Sequence, residues 1–208
     1  MKISKDTDHL EVWNQFVLDG NLETLSQIYF HYFDVLFDYG LKHTSNRQSV
    51  EDAIQDVFIN LIKSRKRLGD IKNLTGYLIC TFRRQLFLDL NKQEKFILTE
   101  KLPEEHFNYF RSPEHDFSDN ENLEILHSTI KKCIGNLTSK QKEIIFLRFE
   151  RELSYEAIAE TLQISVESCY KSTYRSIKTI RSAAEKILGK KACLFLFALF
   201  RFPDFTIE

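Results

Sequence analysis

Residues 152–181, ELSYEAIAETLQISVESCYKSTYRSIKTIR, constrain the fold most tightly. They read as two helices joined by a connection too short to be anything but a sharp corner. Ser154 is placed to cap a helix from about Tyr155 to Leu162, whose apolar stripe is Ile158, Ala159 and Leu162. Gln163 and Ile164 form the corner, and Ser165 is a second cap. The helix it opens puts Cys169, Thr173, Ser176 and Ile180 on one face and Lys171, Tyr174, Arg175 and Lys178 on another. A helix of this kind fits the DNA major groove, with its first turns at base edges and later cations on phosphates. A helical hairpin with a solvated cationic face would use the same residue types.

The upstream segment narrows the choice. In Leu137-Thr138-Ser139-Lys140-Gln141-Lys142-Glu143, Thr138 or Ser139 is placed to cap an amphipathic helix that offers Ile144, Ile145, Leu147 and Phe149 to a core. The result is a helical DNA-binding module from roughly Leu137 to Leu188, in which Lys and Arg outnumber the acids although the whole chain carries a formal charge of -1.

Read together, these segments resemble the promoter-reading region four of the extracytoplasmic-function sigma factors of bacterial RNA polymerase. The likeness is carried by Leu137, Gln141 to Glu143, Leu147-Arg148-Phe149, Ser154-Tyr155, Ile158-Ala159, Ile164-Ser165 and Ile180-Arg181. It implies that the helix from Ser165 to Arg181 reads the minus-thirty-five element through Ser165, Glu167, Ser168, Tyr170, Lys171, Tyr174, Arg175 and Lys178.

Residues 50–60, VEDAIQDVFIN, resemble the Asp-Ala-x-Gln-Asp-Val-Phe signature of the same family's region two. Helical periodicity makes Ala53, Ile54, Val57, Phe58 and Leu61 a core stripe and gathers Glu51, Asp52, Gln55 and Asp56 on the exposed side. The resemblance implies that this acidic, amide-bearing face docks on core RNA polymerase; a plain solvated face would show the same pattern.

Beyond it, Lys63, Arg65, Lys66, Arg67 and Lys72 surround a Gly69-Asp70 break. A helix from about Thr75 to Leu90 then presents Tyr77, Arg83 and Arg84 among apolar residues. Cations interleaved with aromatics can hold an opened strand. By resemblance, the loop from about Leu68 through Asn73 captures a flipped base of the minus-ten element, with Tyr77 standing where many members have Trp. The chain departs from the family at Arg84, at Leu88-Asp89-Leu90-Asn91, and at Cys169 and Tyr170, which leaves the promoter sequence unread because readout depends on those side chains.

The expected architecture is all-α. It consists of two small helical domains, 1–92 and 122–190, an acidic linker 93–121 and a hydrophobic tail 191–208. The lack of extended alternating strands, with only 6 Gly and 3 Pro among 208 residues, supports helices throughout. Glu94, Glu100, Glu104, Glu105, Glu114, Asp116, Asp119 and Glu121 make the linker acidic, and its composition suggests mobility. Cysteines at 80, 133, 169 and 193 form no CxxC pair and suit reduced cytoplasmic thiols; His106 and His115 in the linker close no metal site. No cofactor, small-molecule substrate or catalytic motif is indicated. The charged N-terminus is unlike a signal peptide. The apolar run from Ala192 to Phe200 is shorter than the roughly 20 residues a membrane helix needs, and is expected to pack on the chain itself or to dock on an anti-sigma factor, polymerase or a membrane surface. The rival function is a stand-alone helix-turn-helix regulator of duplex DNA, which leaves residues 50–92 unexplained.

Overall fold

The computed structural model describes residues 4–96, 107–111 and 121–199, and among these every regular element is helical. Helices α1 (Ser4–Asp19), α2 (Leu22–His43), α3 (Arg47–Ser64) and α4 (Leu74–Phe96) form an N-terminal bundle. Short polar side chains start the last three: Asn21, Asn46 and Asn73 accept from the backbone N–H of Glu23, Ser49 and Gly76 respectively. The stripe Ala53, Ile54, Val57, Phe58 and Leu61 is buried as its periodicity requires. It meets Leu36, Tyr39, Leu78, Phe82 and Leu86 in an aromatic-rich core. α2 and α3 cross closely at Gly40, where an added Cβ would stand 2.6 Å from Val50 Cγ1 and 2.8 Å from Phe82 Cζ.

The C-terminal module comprises α5 (Glu121–Gly135), α6 (Ser139–Ile145), α7 (Tyr155–Leu162) and α8 (Val166–Leu199). Thr138 is the cap of α6, in a capping box with Gln141. The expected continuous helix ends early, because Phe146–Glu150 winds into a wider π turn closed by Arg151 N–H donating to the Phe146 carbonyl at 3.2 Å. Through this turn Ile144, Phe146 and Leu147 face the N-terminal bundle, whereas Ile145 packs with Ile134, Leu137 and Ile177. The corner is as expected: Ser154 caps α7, Gln163 adopts the left-handed conformation at φ 53, and the Ser165 hydroxyl accepts from Ser168 N–H.

Two expectations change. The helix opened by Ser165 does not end at Arg181 but runs on to Leu199, interrupted at Gly189 where φ is 76 and ψ is 163. The linker is held where it is described: Phe107 is buried, Asn108 N–H donates to the Lys42 carbonyl at 2.8 Å, and the Lys42 ammonium donates to the carbonyls of Tyr109 and Arg111. These anchors fix residues 107–111 because they satisfy backbone groups that water would otherwise serve. The side chains from Lys190 onward lie outside the described residues, and with them the expectation for the apolar run of the tail.

Candidate nucleic-acid interface

The face of α8 singled out by the sequence is open. Ser165, Glu167, Ser168, Tyr170, Lys171, Tyr174, Arg175 and Lys178 are all exposed, while Cys169, Thr173, Ser176 and Ile177 turn inward. Large aromatics seldom stay in water without a reason, yet Tyr170 and Tyr174 are 50% and 59% exposed. Tyr170 stacks on Tyr155 of α7 with ring centroids 3.8 Å apart. Lys171 pairs with Glu167 at 2.6 Å one turn away, an exposed contact of little energy that a phosphate could displace. Beside this face, a groove between α5 and α8 gathers Lys132, Lys178 and Lys186. Lys132 was not singled out from sequence, because it sits on a different helix and only the packing of α5 on α8 brings it there.

The loop between α3 and α4 divides the expected strand-holding residues. Lys63, Lys66, Arg67, Lys72 and Arg84 are exposed. Arg65 is instead part of the fold: its guanidinium donates to the carbonyls of Val17 and Leu18 at 2.9 Å each, closing the C-terminus of α1. Asn73 uses its side-chain oxygen to cap α4. Tyr77 is half-buried, edge-on to Trp13 at 5.5 Å, and burial raises its hydroxyl pKa. Arg83 points away from the loop, toward the C-terminal module.

On α3, Asp52, Gln55 and Asp56 are exposed and Glu51 is half-exposed. Gln48 donates to Asp52 at 2.7 Å, and Gln85 of α4 donates to Asp56 at 3.2 Å, so the acids are oriented rather than free. One turn on, Ile59 and Ile62 are 44% and 47% exposed, and Leu88 on α4 is 56% exposed. This mixture of acids and uncovered aliphatics is what a docking face needs. Sequence periodicity did not flag Ile59 and Ile62, because isolated exposed aliphatics are ordinary.

Sequence reading named Glu143 only within the region four likeness and gave it no role. It stands on α6 with Phe146 and Leu147 three and four positions later, hence on an apolar face, and that position was the available signal. Its carboxylate is buried against the N-terminal bundle. One oxygen accepts from the Tyr39 hydroxyl at 2.5 Å and from Arg83 Nε at 3.1 Å. His43 Nε2 lies 3.3 Å away, within ion-pair range though off the hydrogen-bonding line. Burial alone would raise the Glu143 pKa, but the neighbouring His43, then the Arg83 charge and the Tyr39 hydrogen bond, outweigh it and hold the carboxyl down at about 2. Tyr39, pushed well above its ordinary value by burial and then by the Glu143 charge, stays protonated and donates. Beside this cluster Asp38 pairs with Lys42 at 3.3 Å and with Arg151 of the C-terminal module.

Residues 28–96 match the model of sigma-70 region 2, and residues 127–180 match that of sigma-70 region 4. The chain belongs to the sigma-70 family. With regions two and four on one chain, it is a sigma factor of the extracytoplasmic-function type, from a family of transcription initiation factors. The fold resembles CnrH in its complex with the cytosolic domain of CnrY, at 14% identity and a TM-score of 0.54, over 86% of this chain and 97% of that one. It also resembles the sigma factor RpoE bound to the anti-sigma factor NepR from Bartonella quintana, at 16% identity and a TM-score of 0.54, over 77% of this chain and 96% of that one. No curated protein matches the chain. Among the described residues, no helix of this sigma factor is long and apolar enough to cross a membrane.

Proposed function

We propose that this sigma factor acts in the cytoplasm, binding core RNA polymerase through Glu51, Asp52, Gln55 and Asp56 with the neighbouring Ile59 and Ile62. Region four reads the duplex of the minus-thirty-five element with Ser165, Glu167, Ser168, Tyr170, Lys171, Tyr174, Arg175 and Lys178 of α8. Lys132 and Lys186 extend its contact with phosphate. Region two holds the opened minus-ten strand with Lys63, Lys66, Arg67, Lys72, Asn73, Tyr77 and Arg84. Residues 1–92 and 122–190 serve as the two working units, and residues 93–121 tether them so that binding of one raises the effective concentration of the other. An anti-sigma factor is the natural negative partner, since both CnrH and RpoE are seen with a bound protein, in RpoE's case an anti-sigma factor.

The observation that carries this reading is the complete exposure of the predicted α8 face alongside a separate, exposed acidic and aliphatic face on α3. A stand-alone duplex-binding regulator has use for the first face and none for the second. Run-off transcription with core polymerase on a pool of genomic fragments tests it. Discrete start sites that appear only when the chain is added are expected, and transcription no different from core polymerase alone would overturn the proposal.

A further inference from the structure

Region four is docked on region two by contacts that use up parts of the strand-opening machinery. Arg83, expected from sequence among the strand-holding cations, is 12% exposed at its side chain. It lies between the Glu143 carboxylate and the Phe87 ring, whose centroid is 4.7 Å from the guanidinium carbon. The carboxylate therefore occupies the place where a DNA phosphate could meet this arginine. A second overlap lies at the loop. Leu68, Gly69, Asp70, Lys72, Asn73 and Tyr77 of region two share one cavity, of about 680 Å³, with Ser154, Glu156, Ala157 and Glu160 of α7. The loop thus looks onto acidic side chains, and a DNA strand approaching Lys72 and Asn73 would meet Glu156 and Glu160. The α4 and α7 backbones come close here, since an added Cβ on Gly76 would lie 3.1 Å from Ala157 Cβ.

The duplex-reading face of α8 takes no part in these contacts and stays open. Within the apolar seam between the regions, where Phe146 meets Tyr39, lies a set of buried polar contacts. A buried carboxylate gathers Tyr39, His43 and Arg83, and Arg151 of region four reaches Asp38 of region two. Buried ionic contacts of this kind contribute less net stability than a matched apolar surface but are strict about geometry, so they fix how region four is seated on region two. Resting on the sigma-factor reading above, we infer that this closed docking is autoinhibitory: Glu143 and α7 of region four occlude the minus-ten surface of region two while leaving the minus-thirty-five helix accessible, and region four must swing off before a strand can be held.

The test locks and releases the interface in the full chain. Gly76→Cys combined with Ala157→Cys places the two Cβ atoms within a few tenths of an ångström of the roughly 3.5–4.5 Å that a disulfide spans. The probe is a fluorescein-labelled, random-sequence single-stranded DNA of about 12 nucleotides, read by anisotropy with the free protein, and the single-cysteine variants are controls. The oxidised double variant is expected to bind at least tenfold more weakly than the same protein after reduction. Because a cysteine at Gly76 could itself disturb α4, the near-isosteric Glu143→Gln provides the opposite perturbation. It should raise single-strand affinity severalfold over wild type without changing affinity for a random duplex of equal length. Equal single-strand affinity in oxidised and reduced forms, with no gain in Glu143→Gln, would overturn the inference. Because neither readout requires polymerase, that outcome is separate from a failure of the chain to direct transcription.

Discussion

Regions two and four are built from different materials. Region two is packed with large rings, Trp13, Phe16, Tyr32, Tyr39 and Phe82 all being fully buried. The inner face of α8 in region four is instead lined by Cys169, Thr173 and Ser176. Their hydroxyls are satisfied within their own helix, Thr173 donating to the Cys169 carbonyl at 3.0 Å and Ser176 to the Ser172 carbonyl at 2.8 Å. Small inward residues let helices approach but remove little apolar area from water. Region four makes up the difference on its neighbour: Ile144, Phe146, Leu147, Leu153, Ile158 and Leu162 belong to the same apolar cluster as the region two core. Region four thus completes its core by leaning on region two.

The comparison is broken most severely at Phe146. This fully buried ring packs against Tyr39 of region two and against Phe107 and Tyr109 of the linker, with centroid distances from 5.5 to 6.1 Å. Lys42 and Arg151 approach it at 4.8 and 4.9 Å. Phe146→Ala is expected to cost about 3–5 kcal/mol. Urea unfolding of the variant should show region four melting ahead of region two. A loss below about 1 kcal/mol, with one unchanged transition, would mean that region four does not lean on its neighbour.

The next largest effect is electrostatic and tests the same dependence. A carboxyl moved from 4.5 to about 2 is stabilised by on the order of 3 kcal/mol as the anion. Because the folded value is the depressed one, that stabilisation is fully present above pH 4.5 and is lost as pH falls toward 2. Wild type should therefore be more stable than Glu143→Gln at neutral pH, and the gap between their urea midpoints should close over that acidic window. A gap that stayed constant with pH would show that the carboxylate is not held by charge.

What the sequence disclosed follows the same division. Features set by neighbours along the chain were legible: the caps at Ser154 and Ser165, the corner at Gln163, the α3 stripe and the exposed face of α8 all rest on local spacing. Features set by distant partners were not. Arg65 and Arg83 both read as nucleic-acid cations, because a lone arginine carries no mark of its partner. One closes α1 and the other meets an acid 60 residues away. Glu143 was given no role of its own for the same reason. The π turn at Phe146 escaped because nothing in the spacing of its own residues calls for it.

A smaller perturbation sharpens the contrast from within region four. Thr138 and Gln141 complete a reciprocal capping box at the start of α6, with bonds of 3.3 and 3.0 Å. Thr138→Ala should cost about 1 kcal/mol. If region four leans on region two, that loss should also loosen the Glu143 contact, and the variant should gain some of the single-strand binding expected of Glu143→Gln. A purely local effect, with stability lowered and DNA binding unchanged, would separate the cap from the interface.

The smallest effect on the fold is expected where the effect on DNA should be clearest. Lys171 and Arg175 are exposed, and the Lys171 bond to Glu167 lies on the surface, so replacing either cation with Ala should move stability by no more than about 0.5 kcal/mol. Each change removes a cation placed to neutralise one phosphate. The plot of log affinity for promoter duplex against log salt should therefore flatten by about 1 for each substitution. Single-strand binding should stay as in wild type, because these side chains belong to region four's outer face. That is the opposite of the pattern expected for Glu143→Gln, where duplex affinity holds and strand affinity rises. Should Lys171→Ala and Arg175→Ala change both affinities equally, the two faces of region four would not be independent, and the contrast between an open reading face and a docked one would fail.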